Sequence, residues 1–216
     1  MIEKKIDYID DPKDTYEQYL NKAIQYDFRC IFSRPELIST AKTLLKGCNI
    51  IIAGAVDFPG GVMSLEEKLD RFSIYAQSGF HEIDYVLNQE RIEQQDFDAI
   101  YEEMMEVHAF CLEHGIREKA IVEMCKLDWN GKKRVCEIAR KVKPAFLKTS
   151  TGKSFKGAEI DDVKLMKQIL QDEVQIKAAG GIKTYEQAIA FIDAGADVLG
   201  ASAGIAIVEG EKSRLH

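Results

Sequence analysis

Ala145-Phe146-Leu147-Lys148-Thr149-Ser150-Thr151-Gly152-Lys153 opens a stretch that closes on Val174-Gln175-Ile176-Lys177-Ala178-Ala179-Gly180-Gly181. Each end reads as a short apolar strand with a lysine at its C-terminal end, followed by small, turn-forming residues. Between them, residues 159–170 carry helical spacing. The same alternation runs outward in both directions. Strands are predicted over 5–9, 28–32, 48–56, 82–87, 120–124, 145–147, 174–176 and 198–200. Helices are predicted over 14–26, 35–45, 65–77, 97–114, 132–141, 159–170, 185–194 and 203–208. Ser64 with Glu67 three residues on predicts a capping box for the third helix. Strands rich in Ile, Val and Leu on both faces indicate a parallel sheet covered by helices. Eight strand–helix units predict an α/β fold, a closed (β/α)8 TIM barrel over residues 1–216 as a single domain. A doubly wound open sheet is the alternative, but no G-x-G-x-x-G follows the first strand.

Lysine is among the residues least often buried. Removing its ammonium from water lowers its pKa, and a second lysine beside it lowers it further. In a parallel barrel, Lys148 and Lys177 end neighbouring strands on the face that carries active sites. A lysine kept partly neutral is a nucleophile that forms a Schiff base with a carbonyl. The alternative is a pair of strand-capping lysines that point to solvent.

The chain of 216 residues carries a net charge of −7, which argues against a nucleic-acid binder. Its longest apolar run, 48–56, is far short of the roughly 20 residues of a membrane span. The N-terminus lacks an apolar signal core, so a cytoplasmic location is expected. The five cysteines form no C-x-x-C pair and read as reduced residues. None of His81, His108, His114 and His216 clusters with carboxylates or cysteines at metal-ligand spacing, so neither a metal nor a cofactor is expected.

The loops after strands seven and eight of such barrels bind phosphate, aided by a helix N-terminus. Here Gly180-Gly181 and Gly200-Ala201-Ser202-Ala203-Gly204 occupy those loops. Thr151, Gly152 and Lys153 stand in the loop after strand six and add donors and a charge. Asp84 sits mid-strand, and an inward orientation would demand a cationic partner. The apolar spacing along 97–114 reads as packing against the barrel.

Phe146-Leu147-Lys148-Thr149-Ser150-Thr151-Gly152, Ile176-Lys177-Ala178-Ala179-Gly180-Gly181-Ile182 and Gly200-Ala201-Ser202 resemble the deoxyribose-phosphate aldolase family. Glu82-Ile83-Asp84 with Asn88, and Val56-Asp57-Phe58-Pro59, fit as well, and the resemblance runs from about Phe28 to Val208. It implies a metal-independent class I aldolase that cleaves 2-deoxy-D-ribose 5-phosphate to acetaldehyde and glyceraldehyde 3-phosphate. Lys148 would form the Schiff base. Lys177 would perturb it, and Asp84 would join them in proton transfer. Gly180, Gly181 and Ser202 would hold the phosphate, with Thr151, Gly152, Lys153 and Gly200 lining the same region. A small phosphorylated sugar is then the partner, and a homodimer or higher homo-oligomer is compatible with the family. Three places depart from the family pattern. Ile6-Asp7-Tyr8-Ile9-Asp10 keeps only the aspartate of the first-strand motif, Ala203 replaces a second serine, and Cys125-Lys126 follows strand five. A different Schiff-base sugar-phosphate aldolase and a non-catalytic sugar-phosphate-binding barrel are the competing readings.

Overall fold

The computed structural model describes residues 1–214. Short runs of Ile, Val, Ala and Phe form eight parallel strands, and their order around the barrel is their order in the chain. They are β1 (Ile6–Tyr8), β2 (Cys30–Phe32), β3 (Ile51–Val56), β4 (Glu82–Val86), β5 (Arg117–Ile121), β6 (Phe146–Lys148), β7 (Gln175–Ala179) and β8 (Val198–Ala201). β8 returns to β1, with Asp7 opposite Gly200, and closes the barrel. The predicted fold class is thus the observed one.

Among the described residues, nine helices cover the outside. They are α1 (Tyr16–Gln25), α2 (Ile38–Leu44), α3 (Leu65–Gln77), α4 (Gln89–Gln94), α5 (Phe97–His114), α6 (Trp129–Val142), α7 (Ile160–Leu170), α8 (Tyr185–Asp193) and α9 (Gly204–Lys212). Side-chain oxygens satisfy the orphan amides that open several of them. Ser64 and Glu67 form the expected capping box on α3, and Thr15–Gln18 and Thr184–Gln187 form two more. The helices bury their apolar faces on the outward faces of the strands. Phe72 of α3 meets Tyr85 of β4 edge to face, and Tyr8 of β1 stacks on Phe28. Truncating a buried phenylalanine such as Phe72 to alanine would cost about 3–5 kcal/mol. No described helix is long and apolar enough to cross a membrane.

Several elements differ from the sequence expectation, and β7 runs on to Ala179, which puts Lys177 in mid-strand instead of at the strand end. β5 spans Arg117–Ile121 rather than 120–124, and Met124–Lys126 forms a 3-10 turn. The run Arg117-Glu118-Lys119 looks like loop by polarity, yet it lies in the sheet because Lys119 enters an ionic barrel interior and Glu118 pairs with His108 of α5. α4 was not expected, since Gln89–Gln94 contains a single buried aliphatic side chain, Ile92. The last helix extends to Lys212 instead of ending at residue 208. His216 lies outside the described residues.

Candidate active site

Alternation along each strand sends every second side chain into the barrel. Such interiors are commonly filled by branched apolar residues. This one is ionic. Asp7, Glu82, Asp84, Lys119, Lys148 and Lys177 are all buried within it. Register sets the pairs, with Lys148 opposite Lys177 and Asp84 opposite Lys119.

Asp84 lies between the two lysines. Its Oδ2 accepts from Lys148 Nζ at 2.7 Å and from Lys177 Nζ at 2.8 Å. Lys177 also donates to Asp7 Oδ2 at 2.6 Å. Lys119 Nζ lies 2.7 Å from Glu82 Oε2, 3.1 Å from Asp84 Oδ1 and 3.4 Å from Asp7 Oδ2. Arg29 reaches the same cluster and pairs with Asp7 and Glu82. Arg117 pairs with Glu82 as well, at 3.1 Å, so the carboxylates Asp7, Glu82 and Asp84 are surrounded by an excess of cations.

Lys148 joins that cluster through Asp84. Burial lowers its pKa, Asp84 offsets part of that, and Lys177 and Lys119 lower it again, to about 8. Burial opposes ionisation of Asp84, but Lys119, Lys148 and Lys177 overcome it and hold the carboxyl well below the usual range. Asp7 is likewise depressed, because Lys177, Lys119 and Arg29 outweigh its burial. Lys119 moves in the opposite direction from Lys148. Its burial cost is exceeded by Asp84 and Asp7, which hold it well above the ordinary lysine value. Similar side chains in one barrel thus have their pKa values moved in opposite directions.

Lys148 is also the lysine that meets open space. With Asp84 it lines a cavity of about 430 Å³ that opens toward the ends of β1, β2 and β3. The Phe58 ring stands 5.7 Å from Lys148 Nζ. The loop carrying Phe58 is tied down by Asp57, whose carboxylate accepts from Val62 N and Met63 N, both at 3.0 Å. Lys68, fully buried on α3, braces Asp57 at 3.3 Å, pairs with Glu103 and donates to Val86 O at 2.7 Å.

The predicted anion-binding residues lie on the other side, in the loops after β6, β7 and β8. Gly152 and Gly180 both have left-handed backbones, and a Cβ on Gly180 would stand 2.9 Å from Gly152 Cα and from Gly157 Cα. The β6 and β7 loops can therefore touch only through glycines. Gly181 and Lys153 are exposed. Ser202 is exposed just before α9, whose first turn carries no side-chain cap and so leaves amides free for an anion. Two predicted residues do different work. Thr151 is buried, its hydroxyl donating to Glu123 at 2.5 Å and accepting from Lys153 N at 3.0 Å, so it shapes the loop. Gly200 is buried within β8, where a Cβ would meet Ala179 Cβ at 2.9 Å and Lys177 Cε at 3.2 Å. Its missing side chain is the space Lys177 occupies.

Sequence reasoning did not single out Arg29, Glu82, Lys119 or Phe58 as parts of this site, and gave Asp7 no role. Lys119 was hidden by the displaced fifth strand. Its signal was its phase, two residues before Ile121, which pairs with Lys148. Asp7, Cys30 and Glu82, from three strands, also gather their ligand atoms within 4.8 Å of one another. Both carboxylates there are already held by Arg29 and Lys119, and Asp7 by Lys177 as well. That set fits an ion-pair network better than a metal.

No model of a protein family matches the chain. Individual proteins do. A deoxyribose-phosphate aldolase of Lactobacillus acidophilus is 39% identical over 195 residues, covering 90% of this chain and 82% of that protein. One of Thermococcus gammatolerans is 36% identical over 203 residues, covering 93% and 90%. Among solved structures, a tetrameric deoxyribose phosphate aldolase from Aeropyrum pernix superposes with a TM-score of 0.86 at 25% identity, over 99% of this chain and 92% of that one. An aldolase called QR15 gives a TM-score of 0.87 at 26% identity, over 99% and 97%.

Proposed function

The chain belongs to the deoxyribose-phosphate aldolase family, and we propose that it cleaves 2-deoxy-D-ribose 5-phosphate reversibly through a Schiff base on Lys148. The observation that carries this reading is the setting of Lys148. It is buried, bonds Asp84, has its pKa lowered to about 8, and faces the cavity.

In its free-amine form Lys148 attacks the C1 carbonyl of the open-chain sugar, and loss of water leaves an iminium. A base removes the proton from the C3 hydroxyl through water. The C2–C3 bond then breaks, its electrons pass to the iminium, and glyceraldehyde 3-phosphate departs. The remaining enamine takes a proton at carbon through water held by Asp84 and Lys177. Water then hydrolyses the iminium, releasing acetaldehyde and Lys148. Asp84 serves both steps because one of its oxygens bonds both lysines. Lys177 lowers the pKa of Lys148 by like charge and so raises its free-amine fraction.

The phosphate is assigned to the amides of Gly180, Gly181 and Ser202 and the start of α9, with Lys153 contributing charge. Gly152, Thr151 and Gly200 support that arrangement through loop contact and strand packing. Remote binding of this dianion positions the reacting carbons. The A. pernix relative is a tetramer, and self-association of this chain, read by light scattering, is part of the same reading. The test is a comparison of 2-deoxyribose with its 5-phosphate in an assay of acetaldehyde release. The phosphorylated sugar is expected to react at least about 10²-fold better in kcat/KM. Equal values would show that phosphate is not what the site reads.

A further inference from the structure

An aromatic face stands beside the reacting nitrogen. The centroid of the Phe58 ring lies 5.7 Å from Lys148 Nζ, within the roughly 6 Å over which a ring face attracts a cation. A second ring, Phe32, lies 4.9 Å from Lys177 Nζ and 5.9 Å from Lys119 Nζ. Those two ammoniums are held by carboxylates, Lys177 by Asp7 and Asp84 and Lys119 by Glu82. Their nitrogens form no bond in the reaction. Lys148 Nζ is the nitrogen that changes chemical form.

The loop that presents Phe58 is braced along its length. Asp57 turns the chain after β3 with a left-handed φ of 56°, and Phe58 follows it. Gly61 N donates to Asp57 O at 2.9 Å, and Gly61 O accepts from Gln89 N at 2.8 Å. A Cβ on Gly61 would stand 2.5 Å from Leu87 O, so the loop lies flat against the segment after β4. The Asp57 carboxylate, backed by Lys68, holds the far end through Val62 N and Met63 N. Yet Phe58 remains 40% exposed. Burying the ring is therefore not what the bracing achieves. It fixes where the ring face stands.

An ammonium carries three N–H donors, whereas an iminium keeps one. Among the described residues, Lys148 Nζ has Asp84 Oδ2 as its hydrogen-bond partner, and that carboxylate is shared with Lys119 and Lys177. The rest of the iminium charge lies on the planar C=N group, much of it on carbon, where no N–H can donate. A ring face suits such a charge. We propose that Phe58 is a catalytic residue whose ring face stabilises the iminium cation on Lys148, an inference that rests on the Schiff-base role of that lysine. Free amine, aldehyde and one proton give iminium and water, so above the pKa of Lys148 a positive charge appears beside the ring. Below it, ammonium and aldehyde give iminium and water with no change of charge. The contribution of the ring therefore shows above about pH 8 and cancels below it. The other charged groups facing Lys148 are Asp84 on β4, Lys119 on β5 and Lys177 on β7, with Asp10 and Arg34 on the cavity wall. A change confined to the Phe58 ring leaves all of them in place.

The experiment places phenylalanine carrying one, two or three ring fluorines at position 58 of the full chain. Fluorine withdraws electron density from the ring face and leaves its shape nearly unchanged, so the fold is kept. NMR with isotope-labelled acetaldehyde follows the iminium carbon, and the half-saturating concentration gives the equilibrium constant for iminium formation. At about pH 9 that constant should fall stepwise with each fluorine, to about fivefold for three, the equivalent of about 1 kcal/mol. At about pH 6.5 the same series should be flat. A series that is flat at both pH values overturns the proposal. So does an equal loss at both, which is the result of a ring that only packs over Lys148. Absence of the iminium in the unsubstituted enzyme overturns the Schiff-base reading beneath it.

Discussion

Replacing Lys177 with leucine tests how the lysine pair works. Lys148 Nζ and Lys177 Nζ bond the same oxygen of Asp84 at 2.7 and 2.8 Å, so they lie within about 5.5 Å of each other. Two like charges about 5 Å apart at an effective dielectric near 20 repel by about 3 kcal/mol, or roughly 2.4 pKa units. Removing Lys177 also takes a cation away from Asp7 and Asp84, so Lys148 faces a more negative cluster. Both effects return Lys148 from about 8 to the ordinary lysine range. At pH 7.5 the free-amine fraction would fall about 10²-fold. The assay is the pH dependence of kcat/KM for 2-deoxyribose 5-phosphate cleavage, with circular dichroism to confirm folding. Lys177→Leu should lose about 10²-fold or more at pH 7.5, with its rising limb displaced from near pH 8 to above pH 10. A folded variant whose limb stays near pH 8, or whose kcat/KM at pH 7.5 is within threefold of wild type, would refute this electrostatic account.

Other outcomes follow from the same geometry. The depressed pKa of Lys148 means that the folded state binds fewer protons than the unfolded state between about pH 8 and the ordinary lysine value, so wild-type stability rises with pH across that window. Lys148→Met should remove a cation whose burial is costly and stabilise the fold at pH 7 by roughly 1–3 kcal/mol, read by thermal melting; a lower melting temperature would contradict that burial cost. Gly200→Ala, whose new methyl would stand 3.2 Å from Lys177 Cε, should lower kcat more than it raises KM, and an unaltered kcat would show that Lys177 does not need that space. Ser202→Glu should abolish the preference for the phosphorylated sugar while adduct formation with acetaldehyde persists, and a retained preference would move the phosphate elsewhere.

The barrel was legible because its strands are apolar runs punctuated by glycine and capped helices, and such alternation survives errors at element edges. Lys148 and Lys177 stood out because a lysine ending an apolar run is costly unless something uses it. Asp84 was legible as a carboxylate in mid-strand. Lys119 was not, since two charged neighbours, Arg117 and Glu118, made its strand look like loop. Arg29 and Glu82 were hidden for a related reason. Each flanks or starts a strand, where a charge normally faces water, and only closure of the barrel brings them to Asp7 and Lys119. The bond from Tyr16 to Ser33 in the cavity wall joins α1 to the segment after β2, which no local pattern encodes. Phe58 owes its place over Lys148 to Asp57, Lys68 and Glu103, residues brought together from three elements.

The central claim is that Lys148 carries the covalent intermediate. Borohydride reduction in the presence of acetaldehyde, followed by peptide mapping, measures it directly. The account predicts one ethyl group per chain, located on Lys148 and absent from Lys148→Met. A label on Lys119, Lys153 or Lys177, or no label in an enzyme that still releases acetaldehyde, would contradict it.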